Sequence, residues 1–342
     1  MVMSEYRTEK RVELDGITSV FIFNPIGRIE IEGWDNPDLL LETTIVSESE
    51  KMTPESIEPT IIREGERLQI RSVDPGRVKR EFKDMATDFE LEFEDFADGE
   101  VLSHIPDVVG KIVQFATDSA QKIQPGIQTA LNIRLPAGID VTVKNLNGVI
   151  SVKNMTSRIL VKAVNGPVML RNITGQVNAK TVNGPLSLEK SAPEMVQLKS
   201  VNGPVKCYLD TVSGPVQLKS VNGPVRMTLP ESADVNLTAK TMHGAVKISS
   251  AFKQTLRTSK KMCGTLKNGQ FPTGIKTFSG PLTVVTSDME PDSGTVQEPA
   301  ASPLPLKKTE SREPSDAPAR MIERMLADGK ITEAEADKLR RA

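Results

Sequence analysis

The chain is poor in the residues on which most site chemistry depends. Its 342 residues hold two Cys, two His, one Trp and two Tyr. Two cysteines, Cys207 and Cys263, exclude a disulfide framework. So few aromatics exclude a sheet that stacks bases on its faces. No apolar run is long enough for a transmembrane helix. The opening residues, MVMSEYRTEKRVELDG, contain no apolar h-region, so a cytoplasmic protein without a secretory signal is expected. His104 and His243 stand far apart, and no HExxH, CxxC or Cys/His cluster offers a metal site. There is no P-loop, no GxGxxG after a strand and no GxSxG. No catalytic residue, cofactor or small-molecule substrate is indicated, and a non-enzyme is expected.

What is abundant is repetition. NGP recurs at Asn165, Asn183, Asn202 and Asn222, with degenerate copies at Asn147 (NGV), His243 (HGA), Cys263 (CGT) and Ser279 (SGP). The spacings are 18, 18, 19, 20, 21, 20 and 16 residues. Two residues after each Gly stand Ile150, Val168, Leu186, Val205, Val225, Val246, Leu266 and Leu282. Four after it stand Val152, Leu170, Leu188, Cys207, Met227, Ile248, Asn268 and Val284. The residues between them vary, which is the period-two alternation of strands with one face inward. Cys207 falls in an inward column and reads as core.

Two folds use such a unit. Asn-Gly between alternating runs is a hairpin signal, which favours an antiparallel meander. But Pro follows the Gly and has no N–H to give back across a hairpin turn. It does suit the first residue of a strand leaving a corner. The expected fold is therefore mainly β: a two-sheet β-solenoid, parallel β-helix-like, with rungs of 18–20 residues and Asn side chains stacked from rung to rung. FNPIGRIEIEGWD repeats the grammar near the front, with Gly27, Ile29 and Ile31. The expected organisation is an N-terminal solenoid part over 10–75, an insertion over 76–124 and the NGP repeats over 125–286. A disordered Pro-rich linker over 287–318 and a helical hairpin over 319–342 follow.

In the insertion, Phe82, Phe89, Phe93 and Phe96 fit a helical stripe, while Phe89–Phe93 also alternates like a strand. Val101, Ile105, Val108, Val109, Ile112 and Ala116 predict an amphipathic helix. It either caps an open edge or serves as a partner or membrane helix, the membrane version being disfavoured by a polar face that is not rich in Lys and Arg. In ARMIERMLADGKITEAEADKLRRA, Met321, Ile322, Met325 and Leu326 form a helical stripe, Gly329 suits a C-cap and Thr332–Glu335 is a capping box. About 24 residues cannot bury a core alone, so these residues and Leu339 are docking candidates: on the solenoid, a second copy or another protein.

GRIEIEGWD, LNIRLPAGIDVTVKNLNGVISV at 131–152 and the NGPV rungs resemble the bacterial putative-adhesin β-strand-repeat family, a domain of unknown function. The last 24 residues resemble a SHOCT-like short helical domain. The resemblance implies a parallel-stranded, non-catalytic repeat fold, and it transfers no catalytic residue. It covers roughly 10–286 apart from the insertion, and prolines after the corner Gly are more frequent here than in the family.

Net charge is −2, but charge is segregated. Residues 140–286 hold 19 Lys and Arg against 6 Asp and Glu. Residues 81–100 hold nine acidic side chains against Lys83. Three positions before each corner stand Lys144, Lys162, Lys180, Lys199, Lys219, Lys240, Lys260 and Lys276, in outward register. At a strand spacing of about 4.8 Å, neighbouring ammoniums repel by about 1 kcal/mol even in water. Such a ladder reads either as a solubility and anti-aggregation device or as a track for a polyanion, whether an anionic membrane surface, nucleic acid or acidic protein. Charge complementarity sets the acidic 81–100 segment against it. The six carboxylates of the repeats share no column, so no polysaccharide-cleaving pair or calcium site is expected. The overall expectation is a scaffold or interaction protein, with a polyanion-binding module as the alternative.

Overall fold

The alternating inward residues of each repeat need a facing layer to bury them, and each unit supplies both layers itself. The computed structural model describes residues 4–47, 58–72 and 127–286. The expected insertion over 76–124, linker over 287–318 and hairpin over 319–342 lie outside these. With strands numbered in chain order, each rung places one strand in a 12-stranded sheet, turns at the corner Gly, and places the next in an 11-stranded sheet. The rungs are β2 (Ser19–Ile26) with β3 (Ile29–Trp34), β8 (Asp140–Asn147) with β9 (Ile150–Met155), and β10 (Ile159–Asn165) with β11 (Val168–Ile173). They continue as β12 (Gln176–Asn183) with β13 (Leu186–Ser191), β14 (Met195–Asn202) with β15 (Val205–Leu209), and β16 (Val216–Asn222) with β17 (Val225–Leu229). The last are β18 (Val235–His243) with β19 (Val246–Ile248) and β22 (Phe271–Ser279) with β23 (Leu282–Thr286). This is the β-solenoid, and not the meander.

Rung stacking is parallel and in register: Val143 lies beside Val161, Val161 beside Ala179, and Ala179 beside Leu198. Between the sheets these side chains meet the Ile150, Val168, Leu186 and Val205 column in one continuous core. Cys207 sits in it between Leu188 and Met227, and burial pushes its thiol pKa far up, so it is an inert core residue.

At the ends the grammar changes. Strands β1 (Ser4–Val12), β4 (Leu39–Ser47) and β7 (Ile127–Pro136) prolong the 11-stranded sheet, with β4 antiparallel to both neighbours. Strands β5 (Thr60–Glu64) and β6 (Arg67–Arg71) prolong the other sheet beside β2. At the far end, β20 (Lys253–Arg257) and β21 (Lys261–Leu266) form a hairpin against β18. The edge strands β1 and β20 carry SEYRTEKRV and KQTLR, charged sequences that discourage edge-to-edge pairing.

One expectation fails at that end, and the stacking order changes. The CGT tripeptide is no corner: Cys263 pairs antiparallel with Thr238, and Lys260 lies in the hairpin turn closed by Thr258 and Lys261. The rungs there do not follow chain order. Strand β22 lies between β16 and β18, so the SGP rung stacks directly on the last NGP rung. The physical reason is the corner: Gly280 packs on Gly223 and Gly244 packs on Gly280, whereas Gly264 lies against Lys253.

The corner explains both the glycine and the proline. A Cβ on Gly166 would lie 2.0 Å from the carbonyl oxygen of Gly148, and the same clash links Gly27, Gly148, Gly166, Gly184, Gly203, Gly223, Gly280 and Gly244 in one column. Gly166 also has φ 135°, which L side chains rarely adopt. Corner hydrogen bonds run from each Gly N–H to the next rung's Asn carbonyl, as Gly148 to Asn165 and Gly166 to Asn183, both at 2.9 Å. They resume at the residue after Pro, with Val168 N–H donating to Pro185 O at 2.9 Å. Proline therefore occupies the one corner position whose N–H has no role. Beside it the Asn side chains form the expected ladder: Asn165, Asn183, Asn202 and Asn222 each donate Nδ2–H to Oδ1 of the preceding Asn, at 2.7–3.0 Å.

Gly166→Ala should destabilise the solenoid by at least about 3 kcal/mol, because backbone must move on both rungs. Gly138→Ala, whose Cβ would meet nothing within 4 Å, should stay within about 0.5 kcal/mol of wild type. Urea unfolding followed by circular dichroism checks both.

Candidate functional site

Each strand of the 12-stranded sheet has an outer face, turned away from the core, and its residues are read from the register. Three columns line it. The first is polar on most strands: Thr142, Leu160, Asn178, Gln197, Gln217, Gly274 and Thr238. The second is the lysine ladder: Lys144, Lys162, Lys180, Lys199, Lys219, Lys276 and Lys240 in consecutive register. Lys260 drops out of it, and Lys261, directly opposite Lys240 on antiparallel β21, takes the next place. At the other end the ladder meets Phe23 and then Arg71, with Lys144 Nζ 5.9 Å from the Phe21 ring centroid and Arg67 Cζ 4.8 Å from it.

The third column was not anticipated. It is the residue just before the corner: Pro25, Leu146, Val164, Val182, Val201, Val221, Phe278 and Met242. Period-two alternation from the lysine places these apolar side chains outward as well. The signal was present in the sequence, because the repeated unit is VNGP rather than NGP. It was missed because an apolar residue beside a corner reads as core by default.

The burial of this face differs from expectation too. The lysines leave the sheet outward, yet Lys162, Lys180 and Lys199 are each only 7% exposed. Leu146, Val164, Val182 and Val201 are 0–3% exposed, although they do not belong to the core cluster between the sheets. Asn178 Oδ1, on the same face, is shielded from water without a hydrogen-bond partner. The shielding is local. Lys276 and Lys240 are exposed, and Met242 is 39% exposed. The covered patch thus spans the rungs of β8, β10, β12 and β14, and fades towards β18.

A buried ammonium requires a compensating anion or acceptor. Lys144, Lys162, Lys180, Lys199 and Lys219 each have an interaction partner. The outer face of the 11-stranded sheet is different in kind. It mixes signs and stays half-exposed, with Lys153 3.2 Å from Glu32 and Arg134 3.5 Å from Glu42. The docking candidates Met321, Ile322, Met325, Leu326 and Leu339 lie outside the described residues. Among the described residues, no group of three His, Cys, Asp or Glu side chains could hold a metal ion.

This stacked, in-register segment is what comparison with known families detects. Residues 176–285 match the Toastrack DUF4097 family. The matched stretch takes in the strands from β12 to β23, and so includes the rung swap and the edge hairpin. Among solved structures, the chain is similar to a putative cell adhesion protein from Clostridium sporogenes ATCC 15579, at 12% identity and a TM-score of 0.35, covering 83% of this chain and 100% of that one. It is similar also to a putative adhesin from Bacteroides fragilis NCTC 9343, at 11% identity and a TM-score of 0.44, covering 82% and 97%. No curated protein matches the chain.

Val182→Ala should cost about 2 kcal/mol although its side chain points away from the core, whereas Met242→Ala in the same column should be near neutral. Thermal unfolding of the two variants beside wild type checks this, and equal small effects would mean the outer column is not buried in solution.

Proposed function

We propose that the protein is a non-catalytic cytoplasmic scaffold, in which the Toastrack solenoid is a rigid bar and the C-terminal 319–342 hairpin is the docking or self-assembly element. The observation that carries this reading is the uniformity of the stack. Seven consecutive strands offer the same Lys position and the same apolar position in register, which suits an extended contact and not a single reacting centre. Repeat folds use such continuous faces for binding. The hairpin, with Met321, Ile322, Met325, Leu326 and Leu339 on its apolar positions, is too short to be stable unless docked. Sedimentation of the full chain beside a chain ending at residue 318 tests the self-assembly form. A larger species that reverts to monomer on truncation is expected, and identical monomers would transfer the role to a different protein partner.

A second reading has its own support in the exposed end of the ladder, Lys276 and Lys240 with Lys261. Their charge can hold a polyanion by counterion release. Retention on heparin should then fall with salt, and should drop further in a variant carrying Lys240→Glu, Lys261→Glu and Lys276→Glu. Elution of both proteins at low salt would leave these lysines as solubility devices.

A further inference from the structure

We infer that the open end of the 12-stranded sheet, the outer face of β18, β20, β21 and β22, docks on an anionic lipid surface, with Met242 and Leu256 entering the headgroup layer and the surrounding cations holding its phosphates. The inference rests on the polyanion reading of the exposed ladder end and names its partner. The first ground is charge. Residues 235–286 carry eight Lys and Arg and no Asp or Glu, and all eight side chains are exposed. This stretch therefore projects a field of one sign. Contact is confined to this end, because Lys162, Lys180 and Lys199 on the central rungs are shielded.

The second ground is what stands among those cations. Met242 is 39% exposed and Leu256 42%, and these are the exposed large hydrophobic side chains of the described residues. Both turn to the same face as the lysines. Alternation along β18 puts Thr238, Lys240 and Met242 outward. On β21, Lys261 lies opposite Lys240 and Cys263 opposite Thr238, with Thr238 Oγ1 3.9 Å from Cys263 Sγ. Leu256 on β20 is in turn opposite Cys263. A bulge brings it there: the register shifts between Gln254 and Leu256, so Leu256 and not Thr255 takes the outward place. Leu256 and Met242 thus flank the Lys261–Lys240–Lys276 line, one on each side. Protecting an edge strand from aggregation calls for outward charge, and does not account for an outward leucine.

The third ground is that the cations are held in place. The β20–β21 turn carries Arg257, Lys260 and Lys261. Thr258 N–H donates to Lys261 O at 2.8 Å, and Lys261 N–H donates to Thr258 Oγ1 at 2.9 Å. Thr241 N–H donates to Lys260 O at 2.8 Å, which fixes the turn beside Met242. From β20 to β22 the face is about 14 Å wide at ordinary strand spacing. A nucleic acid would answer the lysines but leave Met242 and Leu256 in water. The interface of an anionic bilayer answers both, because burial of apolar area there adds to attraction by the headgroups.

The test sediments the full chain with vesicles of phosphatidylcholine alone and of phosphatidylcholine mixed with phosphatidylglycerol. Binding to the mixed vesicles and not to the neutral ones is expected, weakening as salt rises. Lys240→Gln, Lys261→Gln and Lys276→Gln together should weaken it by about a hundredfold, since each basic residue near an anionic surface contributes roughly fivefold. Met242→Ser with Leu256→Ser should weaken vesicle binding by roughly tenfold. The same pair should leave heparin retention unchanged, which also reports an intact fold. Heparin retention without binding to the mixed vesicles would overturn the lipid assignment and leave the polyanion reading standing. Failure to bind either would overturn both. Vesicle binding that survives Met242→Ser with Leu256→Ser at full strength would overturn the assignment as well, because charge alone would then suffice. Tighter binding to duplex DNA than to the mixed vesicles would give the face to nucleic acid instead.

Discussion

The structure depends on one steric constraint: at every corner, the carbonyl oxygen of one rung's glycine stands where a Cβ of its neighbour's glycine would be. Eight glycines, from Gly27 to Gly244, share that column. The close approach lets the backbone of successive rungs bond directly through the turn, and it brings the preceding Asn side chains within reach of one another. The Asn ladder, the tolerance for Pro and the in-register stacking of Val, Leu and Lys columns all follow from it. A corner that fails the constraint leaves the stack, as Gly264 does.

Exact register has an electrostatic consequence. It places identical side chains side by side, so a lysine kept in each repeat becomes a line of like charges on one face. The same register aligns the residue before the corner into an apolar ribbon parallel to that line. A face with a charged line and an apolar line is unstable as a solvated surface, because one line repels itself and the other is exposed to water.

Much of this was legible in one dimension. The Gly-centred period, the alternation on either side of it and the hairpin-incompatible Pro after Asn-Gly were enough to choose stacked rungs over a meander. Lys162 and its counterparts were readable as one outward column, because position within a strand decides side. The Leu146–Met242 column was equally readable but was overlooked. Lys260 was misplaced because a local tripeptide, CGT, imitates a corner without the stacking partner that makes one.

The sequence by itself determined the unit: its length, its two strands, its inward and outward residues and the chemistry of its corner. These depend on neighbours a few residues apart and on local backbone sterics. Only the tertiary structure decided the order of the stack, with β22 placed between β16 and β18. Only it decided that Lys162, Lys180 and Lys199 are shielded while Lys240 is open. Both depend on which distant surfaces fit against each other. A repeat whose units are nearly equivalent carries little information about which copy sits beside which, or what covers them.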